Sequence, residues 1–481
     1  MNRKMVLYTT GQILGVEALC LLLSALVALL YHEPRAMIAL LISAGAAAGL
    51  FLLSLLFRPK DTVFFAKEGF VTVSLSWVAL GLIGALPFFI SGEIPSFIDS
   101  YFETISGLTT TGASILSDVT RLSHGMLFWR SFTHWIGGMG VLVLVLAILP
   151  SASGRSIHMA RAEMSGPTVG KLVPRMRDTA KLLYVIYLGL TLLLAVLLAA
   201  GGMPVFDSIL HAFGTAGTGG FSSQPDSIAS YSPYIQWVIT VFMLLFGVNF
   251  NLFYFLLLRR FSAVYKNREL LVYLSILAVS VLMISLDLSL HHVFASAGDT
   301  VRQASFQAAS VVSTTGYATD NFDNWPAFSR AVIFLLMFCG GCAGSTAGGL
   351  KISRLMLLIK VGHNRIRHVL HPRSVKAVKM EGKSVDEETA HGVTAYFAIY
   401  ILCIALLFLI LSLEPFSLES NLSAAISTFN NVGPAFGEAN AASSYAAYSV
   451  LSKLAMSVAM LLGRLEVYPL LITCSPSTWK K

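Results

Sequence analysis

The chain has 481 residues, 56% of them hydrophobic and only 12% charged, with a formal net charge of +8. Soluble domains carry about 25% charged residues, so the composition excludes a soluble globular protein and indicates an integral membrane protein. Uncharged runs such as 182–198, 238–258 and 393–413 have the length of spanning helices, which excludes a barrel of short alternating strands. The five cysteines are scattered and suggest no disulfide framework.

At the N-terminus Arg3 and Lys4 precede an apolar run from about Thr10 to Leu30. That run is too long for the apolar core of a signal peptide, and we read it as a retained helix. Further spans are predicted at 36–57, 68–91, 125–149, 180–201, 233–258, 270–294, 329–350, 392–413 and 446–473. The loops falling on the N-terminal side then hold 26 of the 33 Lys and Arg residues, while the opposite side holds mainly acids such as Glu93, Asp99, Asp226, Asp320 and Glu414. Basic loops are the cytoplasmic ones, so both termini are expected in the cytoplasm. The basic surplus thus carries topology, and it offers a surface to anionic lipid or an acidic partner.

After two N-terminal helices within 1–60, one plan recurs four times: a spanning helix, a link, a short half-apolar segment, a glycine turn and another spanning helix. The units are 61–155, 175–262, 268–362 and 392–481, with a basic linker at 363–391. The short segments 98–109, 206–217, 302–313 and 419–430 are too short to cross a bilayer and too apolar for ordinary loops, which predicts re-entrant helices. They align on Gly112 in "TTTGAS", Gly220 in "GTGGFS", Gly316 in "STTGYA" and Gly433 in "NNVGPA". Six residues before each glycine stands a small residue: Ser106, Gly214, Ser310 or Ser427. Thirteen before stands a polar one (Asp99, Asp207, Gln303 or Ser420) of the kind that helix N-terminal regions prefer.

Non-helical backbone survives at membrane depth only where it is buried in protein or lines a wet cavity. Four such turns can surround one axis. Glycine lets the backbone take φ > 0 and turn successive carbonyls toward that axis, where rings of oxygen replace the hydration shell of a monovalent cation. The candidate cation-filter residues are therefore Thr110, Thr111 and Gly112; Thr218, Gly219 and Gly220; Thr314, Thr315 and Gly316; and Asn431, Val432 and Gly433. The coordinating oxygens are expected from Thr111, Gly112, Gly219, Gly220, Thr315, Gly316, Val432 and Gly433. Each short helix also aims its partly negative C-terminal end at the axis. The fourth copy has asparagines for threonines, so the cavity is expected to be only pseudo-fourfold. The fold class is an all-α integral membrane protein with four helix–pore-loop–helix units around one central pore, plus the two extra helices.

The stretches "ISGLTTTGAS", "GTAGTGGFSSQPDSI", "STTGYAT" and "STFNNVGPAFG", with "MLLGRLEVYPLL" near the C-terminus, resemble the TrkH/KtrB superfamily of potassium uptake proteins along the whole chain. The two extra N-terminal helices are similar to the TrkH branch. The resemblance implies a channel-like potassium translocator of the bacterial inner membrane. It would be dimeric and gated by a separate cytosolic ring of TrkA-type nucleotide-binding subunits, with potassium as substrate and nucleotide only on the partner. By the same resemblance, glycine at all four filter positions implies a preference for potassium.

Within the predicted span 329–350, "CGGCAGSTAGGLK" (Cys339–Lys351) places Gly340, Gly341, Gly344, Gly348 and Gly349 at mid-membrane. Each glycine costs a helix about 1 kcal/mol relative to alanine. A broken segment is expected, and the resemblance implies a mobile gating loop here. A tightly packed small-residue face is the alternative, but it needs small residues only every fourth position. Arg464 lies inside the last predicted helix, where an arginine faces a cavity or a partner. Pairing with Glu466 or snorkelling is the plainer account; the resemblance implies an electrostatic barrier below the filter. For Arg130, His134, Asn249 and Asn251 we expect hydrogen bonds between helices.

No catalytic constellation is found. "GPTVGK" (Gly166–Lys171) is one residue short of a phosphate-binding loop and lacks the following Ser or Thr, so nucleotide control must come from another chain. The basic segment 351–391 is either a docking surface for it or a lipid-facing positive loop. The competing reading is an ion-coupled secondary transporter, with symport of potassium or sodium. Such proteins also use repeats and broken helices, but the embedded acids Glu17 and Glu466 occupy no repeated position. A membrane enzyme ranks last, since the pair His291 and His292 stands alone.

Overall fold

In lipid an apolar chain must satisfy its backbone internally, and in the computed structural model the described residues do so with helices, the one β-pair being Lys379–Met380 with Lys383–Ser384 in the linker. The structure describes residues 2–59, 66–140, 176–372, 378–380 and 383–480. Among these, six helices are long and apolar enough to cross a membrane: Arg3–Leu30, Pro34–Leu55, Lys67–Ser91, Ala180–Ala200, Arg268–Leu290 and Glu387–Leu411. The later part of the predicted fourth span (141–149), the "GPTVGK" stretch and positions 373–377 and 381–382 of the basic linker lie outside the described residues.

The first two helices form a hairpin that turns at His32. A long helix, a short helix and an outgoing helix then follow four times. The short helices are Phe97–Leu108, Val205–Gly217, Ala297–Val312 and Leu418–Phe429, close to the predicted segments. Ser96, Ser296 and Ser417 cap three of them by accepting from the N–H of the third residue along, which satisfies a backbone donor the helix leaves open. Asp99, Asp207 and Ser420 fall in or near first turns as expected. Gln303 does not. The third short helix begins earlier, at Ala297, and the Gln303 amide oxygen instead accepts from the Thr319 hydroxyl.

Three predicted spans are interrupted. The span 233–258 is two helices, Pro233–Phe246 and Phe250–Leu257, whose axes differ by 95°. A single Gly247 in an apolar run does not announce such a break; in the structure Asn249 caps the second piece through its side chain. The span 329–350 ends as a helix at Leu336, and the chain resumes helix only at Ile352, so the glycine run is non-helical as expected. The span 446–473 stops at Arg464 and restarts at Tyr468. Between them Glu466 and Val467 take φ of 58° and 67°, a region that a β-branched residue enters only under constraint.

The N-terminal hairpin docks through Glu33. Its carboxylate accepts from the backbone N–H of His124 (2.8 Å) and of Gly125 (3.0 Å), capping the outgoing helix of the first repeat. A side chain on Gly125 would lie 2.6 Å from the Ala28 Cβ, so the two helices meet backbone to backbone there. Glu33→Ala is expected to cost about 1 kcal/mol, the usual value of a lost N-cap. The check is a lowered apparent unfolding temperature in detergent, and no shift would show the cap to be solvated.

Candidate functional site

Each short helix ends three or four residues before its aligned glycine, and the four turns that follow are built alike. Gly112, Gly220, Gly316 and Gly433 have φ of 80°, 76°, 82° and 105°. Two residues earlier, Thr110, Thr218, Thr314 and Asn431 are also left-handed, at 55–56°. Asparagine tolerates this conformation; for threonine it is a genuine outlier. Between the two, one N–H reaches back to the helix in every copy. Thr111 donates to the Ser106 carbonyl (2.9 Å), Gly219 to Gly214 (2.8 Å), Thr315 to Ser310 (2.8 Å) and Val432 to Ser427 (2.9 Å). The small residues aligned from sequence are thus the acceptors that close each helix end.

The turns meet one another. A Cβ on Gly112 would lie 2.0 Å from the carbonyl oxygen of Gly219. On Gly220 it would lie 2.1 Å from that of Thr315, on Gly316 2.2 Å from that of Val432, and on Gly433 2.6 Å from that of Thr111. First touches second, second third, third fourth, and fourth first. Four hairpins therefore close a ring about one axis, with the carbonyls of Thr111, Gly219, Thr315 and Val432 at its contacts. All four glycines line a single cavity of about 100 Å³ on one side of this ring.

Behind the ring the repeats differ. In the first and third, hydroxyl pairs support the turn: Thr109 with Thr111 (2.8 Å) and Ser313 with Thr315 (2.7 Å). The second turn is backed by His134, whose Nδ1 lies 2.8 Å from the Gly107 carbonyl while Nε2 accepts from the Phe221 N–H (3.2 Å). That acceptor role puts the proton on Nδ1. In the fourth, the Asn431 amide donates to the Thr111 hydroxyl (2.9 Å) and the Met460 carbonyl (3.0 Å), tying the last turn to the first.

Braces that the sequence reading missed hold the limbs leaving the ring. Nine residues before the glycines stand Glu103, His211, Gln307 and Ala424. Glu103 accepts from the Ser114 hydroxyl and the Ile115 N–H, and pairs with Arg130 at 2.7 Å, the arginine only 3% exposed. Arg130 also donates to the Ser222 carbonyl (3.1 Å) and lies over the Phe221 ring. His211 reaches the Ser222 hydroxyl (3.0 Å), and Gln307 donates to the Asp320 carbonyl (3.2 Å). Arg130 and His134 thus bond across elements as expected. Asn249 does not: its side chain caps its own helix by accepting from the Asn251 N–H.

On the other side lies the glycine-rich stretch. Gly340 donates to the Leu350 carbonyl (2.6 Å), drawing the two ends of the stretch together. Gly341 packs against the carbonyl of Gly247, and Gly344 and Gly349 are left-handed. Gly348 donates to the Thr314 hydroxyl at 2.7 Å, so the tip of the stretch touches the third turn directly. Arg464 donates to the carbonyls of Thr346 (2.8 Å) and Gly138 (2.9 Å) and to that of Gly137. Glu466 pairs with Arg354 instead. Gly344, Gly348, Gly349, Lys351, Arg464 and Glu466 help line a second cavity of about 70 Å³.

The Glu103–Arg130 pair yields a stability test. Arg130→Ala leaves a buried carboxylate without its cation and is expected to cost about 3–5 kcal/mol. The double variant E103Q/R130Q, which removes both charges, should lose distinctly less. Equal unfolding temperatures for single and double variants would contradict this account.

Residues 38–481 match the family model TrkH, described as a cation transport protein. The "Trk system potassium uptake protein TrkH" of Salmonella typhimurium is 38% identical over 421 residues, covering 86% of each chain. The Vibrio parahaemolyticus protein of the same name is 34% identical over the full length of both. A crystal structure of the potassium transporter TrkH from Vibrio parahaemolyticus superposes with a TM-score of 0.89 at 33% identity, covering all of both chains.

Proposed function

The chain belongs to the TrkH family of cation transport proteins, and from that premise we propose that it takes up potassium through the ring of backbone carbonyls. The observation carrying this reading is the closed cycle of glycine–carbonyl contacts, which brings four peptide oxygens from four hairpins to one level. Oxygens so arranged take the place of water around an alkali ion. The threonine hydroxyls below add further ligands, and the C-terminal ends of four short helices add negative potential. A potassium substrate agrees with the names of the relatives.

The glycine-rich stretch is the gate in this reading. Its contact with Thr314 puts it under the ring, and Arg464 sets a positive charge across the exit. A cation leaving the ring meets both, so flow requires their displacement. We assign the regulatory signal to a TrkA-type nucleotide-binding subunit acting on the basic segment 351–391. The working form is a homodimer in the bacterial inner membrane with both termini cytoplasmic. Symport is the weaker reading: Glu17 sits behind the first repeat among Val16, Leu80, Leu108 and Trp129, and Glu466 is occupied by Arg354.

Gly316→Ser forces a side chain into a left-handed position already filled by the Val432 carbonyl. Potassium-over-sodium discrimination should fall about tenfold or more, an order of magnitude matching about 1.4 kcal/mol of lost ion preference. Isotope flux into liposomes with competing sodium and rubidium measures it; unchanged selectivity here and at the three equivalent glycines would end the carbonyl-ring reading. Arg464→Ala should raise flux in liposomes lacking any partner subunit. Lower flux at normal incorporation would remove Arg464 as a barrier.

A further inference from the structure

The 95° break in the second repeat lies against the glycine-rich stretch, and the two share their hydrogen bonds. Where the helix stops, the Phe246 carbonyl accepts from the Thr346 hydroxyl (3.1 Å) and more weakly from its N–H (3.4 Å). The Gly247 carbonyl accepts from the Cys342 N–H (2.8 Å). Where the helix restarts, the Phe250 N–H donates to the Gly344 carbonyl (3.0 Å), and the Asn251 N–H is held by the Asn249 side chain (2.9 Å). In a continuous helix each N–H donates to the carbonyl four residues back. Phe250 would then donate to Phe246, and Asn251 to Gly247. Straightening would pair the Phe250 N–H with the Phe246 carbonyl, both now engaged by the glycine-rich stretch, and the Gly247 carbonyl, also engaged by it, with the Asn251 N–H now held by Asn249.

We propose that residues 233–257 form a two-state element coupled to the glycine-rich stretch: bent while the stretch sits under the ring, continuous once it leaves, with Asn249 positioning the bent state. This rests on the reading of that stretch as the gate. Lifting such a segment out of a low-dielectric site strands its partners' donors and acceptors, and a stranded buried group is expensive. Here the groups stranded on the broken helix satisfy one another once it is continuous, so that part of the cost is recovered. Glu269 holds the stretch in its place under the ring: one of its carboxylate oxygens accepts from the Ala343 N–H (2.7 Å) within it and from the Ser353 N–H (3.1 Å) just beyond it. Asn249 has φ −58° and ψ 120°, a conformation proline also adopts and one that a helix interior does not permit.

The test combines a distance with a flux in the full-length protein. Genetically encoded spin labels at Tyr234 and Leu257, both exposed, leave the cysteines in place. At 1.5 Å per residue the separation is about 24 Å bent and about 34 Å straight. Asn249→Ala, which loses the cap, should add the longer distance and raise potassium flux roughly fivefold, the effect of a typical cap. Asn249→Pro should keep only the shorter distance and lower the flux. If flux rises in Asn249→Ala while the distance stays at its bent value, the coupling is overturned and the gate reading stands. If the longer distance appears without added flux, both the coupling and the gate reading fail. If neither changes, the helix is not in balance with the stretch, and the proposal is withdrawn. Arg464→Ala, measured alongside, reports on the gate independently.

Discussion

The structure depends on a contact that only glycine permits. At each turn the Cα of one hairpin faces the carbonyl oxygen of the next so closely that a Cβ would overlap it. The same residue also needs a left-handed φ. Two independent requirements, one local and one between repeats, therefore fall on one atom at four places. Removing either would open the ring, because carbonyls held at a fixed spacing by neighbouring backbones cannot collapse on a smaller ion without strain elsewhere. Three threonines bear part of that strain, since a left-handed β-branched residue costs on the order of 1–3 kcal/mol. They persist because the N–H that follows each is tied to its helix end and the surroundings are fully buried.

Steric equivalence around the ring does not extend to its chemistry. The first turn is braced by a buried ion pair, the second by His211 and His134, and the third by Gln307. Ala424 offers no polar brace to the fourth. There the work passes to Tyr445, whose hydroxyl donates to the Gly433 carbonyl (2.7 Å), to Ser427 on the Pro434 carbonyl, and to Tyr400 on Asn430 (2.8 Å). The fourth hairpin is thus held by the turn at Tyr445 and by Tyr400 of the incoming helix, together with Ser427 of its own short helix. Four nearly equal backbones are kept in register by four different side-chain solutions, as expected where only the backbone geometry is shared.

This difference explains what could be read from the sequence. The glycines recur at a fixed place after short apolar segments, so the turns, their small acceptors and the re-entrant helices were all visible. Arg130 and His134 were visible as polar residues in an apolar span, though their partners were not: Glu103 sits in another element, and the sequence alone does not join them. The break at Gly247 and the one at Val467 were invisible for a deeper reason. Their apolar runs read as continuous helix, and the interruptions arise because other segments take up the freed backbone groups. Tertiary bonding overrode local propensity. Glu269 stayed hidden likewise, since a glutamate in a first turn reads as an ordinary complement to the helix dipole.

The floor beneath the ring shows what Arg464 contributes beyond its charge. Helix ends present carbonyls without intrahelical partners, and the outgoing helix of the first repeat ends there at Gly138. Arg464 donates to Gly137 and Gly138 of that end and to Thr346 of the glycine-rich stretch. Those oxygens are of the type that would otherwise receive a descending cation. In the proposed mechanism the closed arrangement therefore does two things at once: it sets a like charge in the path and occupies the ligands the ion would need next. Displacing Arg464 removes the repulsion and uncovers the oxygens together. One side chain then gives a steeper change in the ion's free energy than a charge standing in open water would.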